Sequence, residues 1–143
     1  MSEQANTRLV QQAYQRIAMG DLPALLNMLA ADVQWQLPDM ENVPFAGTWQ
    51  GQEGVGQFFR TVDKVQETVK FEPQEFIAQG DKVVVLGHFV MRLKATGSTV
   101  RSAWAHVWTV QAGKVIQFYE YVDTAAVSSV HTAAQRARSS AGS

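Results

Sequence analysis

The sequence predicts an α+β fold: a cone-shaped, curved antiparallel sheet packed against three N-terminal helices. Two observations predict it. Before Gln66 the apolar residues recur with helical spacing, interrupted by one short alternating run, and after it they alternate with period two almost to the end. The alternating stretch is cut at Gly80-Asp81, Thr96-Gly97-Ser98 and Ala112-Gly113, each short enough for a hairpin, so an antiparallel meander follows. Long strands that bend this strongly under a layer of helices enclose a cavity, and such cavities bind small molecules.

The helices come first. From Thr7 to Met19 the residues Leu9, Val10, Ala13, Tyr14 and Ile17 share one face, and Gly20 can take the left-handed conformation that ends a helix. Asp21 is placed to cap a second helix, with Pro23 in its first turn and Leu22, Leu25, Leu26 and Leu29 as its apolar stripe. Asp32 to Leu37 alternates strictly and stops at Pro38, a short strand with Val33, Trp35 and Leu37 on one face. Asp39 to Gln52 carries Pro44, Gly47 and Gly51 around Phe45 and Trp49, the composition of an ordered loop folded over something apolar. Val55, Phe58, Phe59 and Val62 then mark a third helix from Glu53 to Val65.

Four β segments follow, Val69–Ala78, Lys82–Lys94, Thr99–Gln111 and Lys114–Asp123. Pro73 lies inside the first, which makes that strand an edge or a bulge because proline cannot donate to a ladder. Val127, Val130 and Ala134 indicate a helical turn or more, with Asp123 as its cap. The organisation expected is one domain over residues 1–135 with a small, polar, mobile tail at 136–143.

Composition narrows the function. The chain has 143 residues, 46% hydrophobic and 17% charged, with 4 Trp, 7 Phe and 3 Tyr, which excludes a disordered chain and promises an aromatic interior. Its net charge of −1 supplies no field to recruit nucleic acid or an anionic membrane. The absence of cysteine removes disulfides, thiolate metal sites and cysteine nucleophiles. His88, His106 and His131 lack compact ligand spacing, so no metal site is expected. Gly51 to Gly56 follows a loop and has no phosphate-loop lysine, so it reads as a helix start, and no cofactor is expected. With no signal-type N-terminus and no run of roughly 18 apolar residues, a cytoplasmic protein that does not engage membranes is expected.

The order of elements, the phrase Gly20-Asp21-Leu22 between the first helices, and the closing Ala112-Gly113-Lys114-Val115-Ile116 and Tyr121-Val122-Asp123 resemble the nuclear-transport-factor-2-like superfamily. The likeness is nearest to its SnoaL-like branch and covers residues 7 to 125. It implies a cystatin-like α+β barrel, a scaffold that also carries ketosteroid isomerase, limonene-epoxide hydrolase and polyketide cyclases, so fold follows from it more firmly than chemistry. Matched to limonene-epoxide hydrolase, the pocket face falls on Trp35, Leu37, Gly87, Phe89, Ser102, Trp104, His106, Trp108, Phe118 and Glu120, and strand parity agrees. The hydrolase's water-activating set is missing. Gly87 and Phe89 stand where it has an arginine and an aspartate, and Trp35 and Leu37 where a tyrosine and an asparagine hold its water. The catalytic base of ketosteroid isomerase falls on Leu37, and its first-helix tyrosine near Ala13 rather than Tyr14.

Two residues remain with acid/base chemistry, His106 and Glu120. A neutral imidazole on an apolar wall can give or take a proton near pH 7, and a carboxylate facing an apolar cavity serves as base or acid. On adjacent antiparallel strands the two could couple. The structural alternatives are a core histidine bonded to a carbonyl and an outward Glu120 with Tyr119 and Tyr121 turned in. Gly87 either bends the sheet or opens room for a ligand, and His88 points to the opposite face. Asp39, Glu41 and Asn42 sit in the roof loop, either reaching the ligand or solvated. Tyr14 and Trp49 line the mouth or belong to the core.

The expected function is therefore a cofactor-independent enzyme that acts on a small, mostly apolar, oxygenated organic molecule by general acid/base proton transfer, as an isomerase, cyclase, dehydratase or hydrolase. The alternative is a noncatalytic ligand-binding or dimerisation module on the same fold. A homodimer is expected, because Val84, Leu86, Val90 and Val107 make the outer sheet face too apolar for solvent alone.

Overall fold

The computed structural model describes residues 2–141. Helix α1, Glu3–Met19, starts earlier than its apolar stripe because the Ser2 hydroxyl accepts from Ala5 N at 3.0 Å, and it stops where Gly20 takes φ 70°. Helix α2, Leu22–Asn27, is capped as expected, Asp21 Oδ1 accepting from Ala24 N at 3.2 Å. Strand β1, Leu29–Gln36, leads into the roof loop, in which Met40, Val43 and Phe45 are buried. That loop holds a strand the period did not reveal, β2, Thr48–Gln50, too short to show an alternation. Helix α3 is Gly51–Val65, and the meander is β3 (Gln66–Gln79), β4 (Lys82–Leu93), β5 (Thr99–Gln111) and β6 (Lys114–Val122).

The six strands lie in the order β2-β1-β6-β5-β4-β3. The sheet is curved, but two of its expected features need correction. It is open, with β2 and β3 as edges, so the barrel does not close. It is also not wholly antiparallel: β1 runs parallel to β6, with Trp35 opposite Phe118. Local alternation predicts a strand without predicting its direction relative to a partner some eighty residues away. Pro73 lies opposite Gly87 on edge strand β3, and the register slips between Pro73 and Glu75, the bulge that proline imposes.

The C-terminal segment is a long helix, α4, Thr124–Ala141, with Asp123 Oδ1 accepting from Ala126 N at 3.0 Å. Residues 136–141 of the expected tail are thus helical; residues 142–143 lie outside the described residues. Helix α4 meets the roof loop through Asn42 Nδ2, which donates to Thr132 Oγ1 at 2.9 Å, and through an edge contact of His131 with Phe45. No helix among the described residues is long and apolar enough to cross a membrane.

Candidate functional site

Alternation along β5 turns Ser102, Trp104, His106 and Trp108 to the inner, buried face, while Arg101 and Ala103 are exposed on the other. The β5–β6 register places His106 directly opposite Glu120. The two side chains meet there, His106 Nε2 lying 3.0 Å from Glu120 Oε1. The far ring nitrogen, Nδ1, is 2.7 Å from the hydroxyl of Tyr14 on α1, and that hydroxyl accepts from Trp108 Nε1 at 2.9 Å. Four side chains from one helix and two strands form a single buried line. Its outer end is Glu120, whose side chain is 16% exposed against 5% for His106.

Burial dominates the electrostatics of this line. It pushes the His106 pKa below the ordinary histidine value, outweighing the hydrogen bond and charge of Glu120 that favour the imidazolium. The ring is neutral near pH 7. Burial likewise raises the Tyr14 hydroxyl above its ordinary range; the Trp108 N–H opposes this and the Glu120 charge adds to it, so Tyr14 stays protonated. Both nitrogens of His106 are engaged, and Trp104 stacks on its ring at 3.9 Å with Phe118 edge-on at 4.7 Å. Only the Glu120 end of the line meets solvent.

The other pocket residues expected from the sequence share this face but pack against one another. Trp35 stacks on Phe118 at 3.9 Å, Phe71 backs Trp104 at 5.0 Å, and Leu37 and Phe89 are buried. Gly87 does not open room for a ligand. A Cβ there would lie 2.3 Å from Trp104 Cζ2 and 2.3 Å from the Glu72 carbonyl, so the glycine makes space for the tryptophan opposite it. Ser102 Oγ donates to Ala103 O and accepts from Asp123 N, pinning the start of α4. Two depressions, of about 560 and 400 Å³, are bordered mainly by outward residues, Leu86, His88, Ala103 and Tyr121 around the larger and Lys70, Glu72 and Arg101 around the smaller. Gly87 and Trp104 border the first, Phe89 and Ser102 the second.

The loop carboxylates Asp39 and Glu41 are exposed, and Trp49 Nε1 donates to Phe45 O at 3.1 Å, so these residues belong to the roof. His88 is exposed on the opposite face, as parity requires. Tyr14 lies in the core, one of its two expected places, but the role of its hydroxyl was not read from the sequence. Its helical spacing marked it as core, and nothing in a stripe of apolar residues distinguishes a hydroxyl that finds a histidine 92 positions away. Two buried donors have no partner among the described residues, Trp35 Nε1 and Trp104 Nε1.

With that geometry in place, comparison with known proteins identifies the class. The SnoaL-like domain family matches residues 10–118, and the chain belongs to it. A nuclear-transport-factor-2-like protein from Burkholderia xenovorans is 34% identical, over 88% of this chain and 95% of that one, with a TM-score of 0.81. A second such protein, of unknown function, from Burkholderia pseudomallei is also 34% identical, over 87% and 94% of the two chains, at 0.79. TerC, crystallised with polyporic acid, is 28% identical over 90% of this chain and 98% of its own, with a TM-score of 0.78. No curated protein matches the chain.

Proposed function

We propose that this protein is a cofactor-independent enzyme that moves a proton on a small, mostly apolar, oxygenated organic molecule, with Glu120 as the general base. The observation that carries the reading is the 3.0 Å His106–Glu120 pair on the buried face of the sheet. His106 has no free nitrogen for a substrate, so it acts as a positioning residue, and Glu120 is the group that touches the reacting atoms. Its second oxygen takes a proton from a carbon or hydroxyl activated by a neighbouring carbonyl. The same carboxyl returns that proton at another atom, so isomerisation and cyclisation both balance without a co-reactant. That TerC, 28% identical to this chain, was crystallised with polyporic acid supports a small organic ligand for this fold.

A carbonyl panel in deuterated water tests the proposal, with mass spectrometry reading solvent deuterium incorporated into each compound. The expected result is exchange into at least one compound by the wild type and a loss on the order of 10²–10⁴ in rate for Glu120→Gln. The packed inner face favours a second reading, a noncatalytic binding module. Saturable binding of a panel compound with no exchange in the wild type selects it.

A further inference from the structure

The buried line has a direction, and Trp108, which lies outside the acid/base pair, sets it. We propose that Trp108 is a positioning residue that holds His106 in the tautomer bearing its proton on Nε2, and thereby keeps the facing oxygen of Glu120 an acceptor; the catalytic consequence rests on Glu120 being the base. An indole N–H can donate and cannot accept. Trp108 is fully buried, and its Nε1 has Tyr14 Oη, 2.9 Å away, as its partner. The Tyr14 oxygen is therefore an acceptor towards Trp108, and its own proton points to its other partner, His106 Nδ1 at 2.7 Å.

A neutral imidazole that accepts at Nδ1 carries its hydrogen on Nε2. That hydrogen faces Glu120 Oε1 at 3.0 Å. Three hydrogen bonds thus donate in one sense, from Trp108 to Glu120, and polarise one another. Without the indole N–H the line can reverse. Tyr14 is then free to accept from a proton on Nδ1, and the bare lone pair of Nε2 faces Glu120. A bare lone pair repels a carboxylate, so that contact holds only once Glu120 has taken up one further proton from solvent, and in that state it is no base. Trp108 touches neither Glu120 nor a substrate; it chooses which ring nitrogen of His106 carries the hydrogen.

The test is nitrogen-15 NMR of the histidine rings in the folded full-length protein at neutral pH, with the His106 signals identified by their loss in His106→Gln. The two nitrogens of a neutral ring resonate far apart according to which bears the hydrogen. The proposal expects the hydrogen on Nε2 in the wild type and its transfer, wholly or in large part, to Nδ1 in Trp108→Phe. Replacing Trp108 with benzothienylalanine, which keeps the ring volume and removes only the donor, repeats the test if the phenylalanine variant fails to fold. Nδ1 protonation in the wild type, or Nε2 protonation unchanged in either folded variant, overturns the proposal while leaving the role of Glu120 to the deuterium assay. Conversely, undiminished exchange by Glu120→Gln removes the catalytic consequence whatever the tautomer.

Discussion

Gly87 shows how one missing side chain shapes the site. The indole of Trp104 and the Glu72 carbonyl occupy the volume a methyl group would need, and the carbonyl is backbone that cannot swing away. Gly87→Ala should cost about 1–3 kcal/mol, the range for overpacking a filled core, read as a lowered urea midpoint. Histidine burial has its own signature. His106 and His131 both have pKa values pushed below the ordinary 6.5, chiefly by burial, with Arg138 adding to the effect on His131. In the unfolded chain these rings protonate at the ordinary value, while in the folded chain they resist. Below pH 6.5 the unfolded state therefore binds more protons, and the histidine contribution to stability is full above that value and lost as pH falls. Urea midpoints at pH 7.5 and 5.5 should show the drop. His131→Leu removes a buried Nε2 that has no partner among the described residues, so it should raise the midpoint, and more at pH 5.5 than at 7.5.

Among the elements, the β5–β6 hairpin offers the cleanest check. Ala112 and Gly113 turn it with φ 52° and 75°, the pair of positive angles of a two-residue turn that favours Asn-Gly. Ala112→Asn should stabilise the protein by about 0.5–1 kcal/mol, the range for relieving alanine's left-handed strain, and leave the His106–Glu120 register untouched. Calorimetry measures the gain as a higher Tm. The hairpins themselves were legible because glycine and short loops announce them. The parallel β1–β6 pair and strand β2 were not, since the first is a long-range choice and the second has three residues.

For the molecule as a whole, the outer face of the open sheet is the surface that asks for a partner. Leu86 and Tyr121 are 37% and 56% exposed there, beside the half-buried Val84, Val90 and Val107. An apolar face of this kind fits a second copy of the chain. Light scattering at micromolar concentration should give a dimer mass, and Leu86→Lys should shift it towards the monomer; a wild-type monomer rejects the idea.

Apart from Glu120, whose place on the inner face came from the family resemblance with an outward orientation left open, the sequence by itself determined the layers: where period two begins, and that Trp104, His106 and Trp108 share one face of β5. These follow from local periodicity, whose physical basis is the fixed rise and side-chain alternation of each element. Tertiary structure alone decided that β1 joins β6 in parallel, that Trp104 fills the space over Gly87, and that Tyr14 and Trp108 complete a line of hydrogen bonds through His106. Those outcomes turn on distances of a few ångströms between residues far apart in the chain. No pattern of apolar and polar residues encodes them, because an indole or a phenol that packs in a core and one that also donates a hydrogen bond there occupy the same position in the sequence.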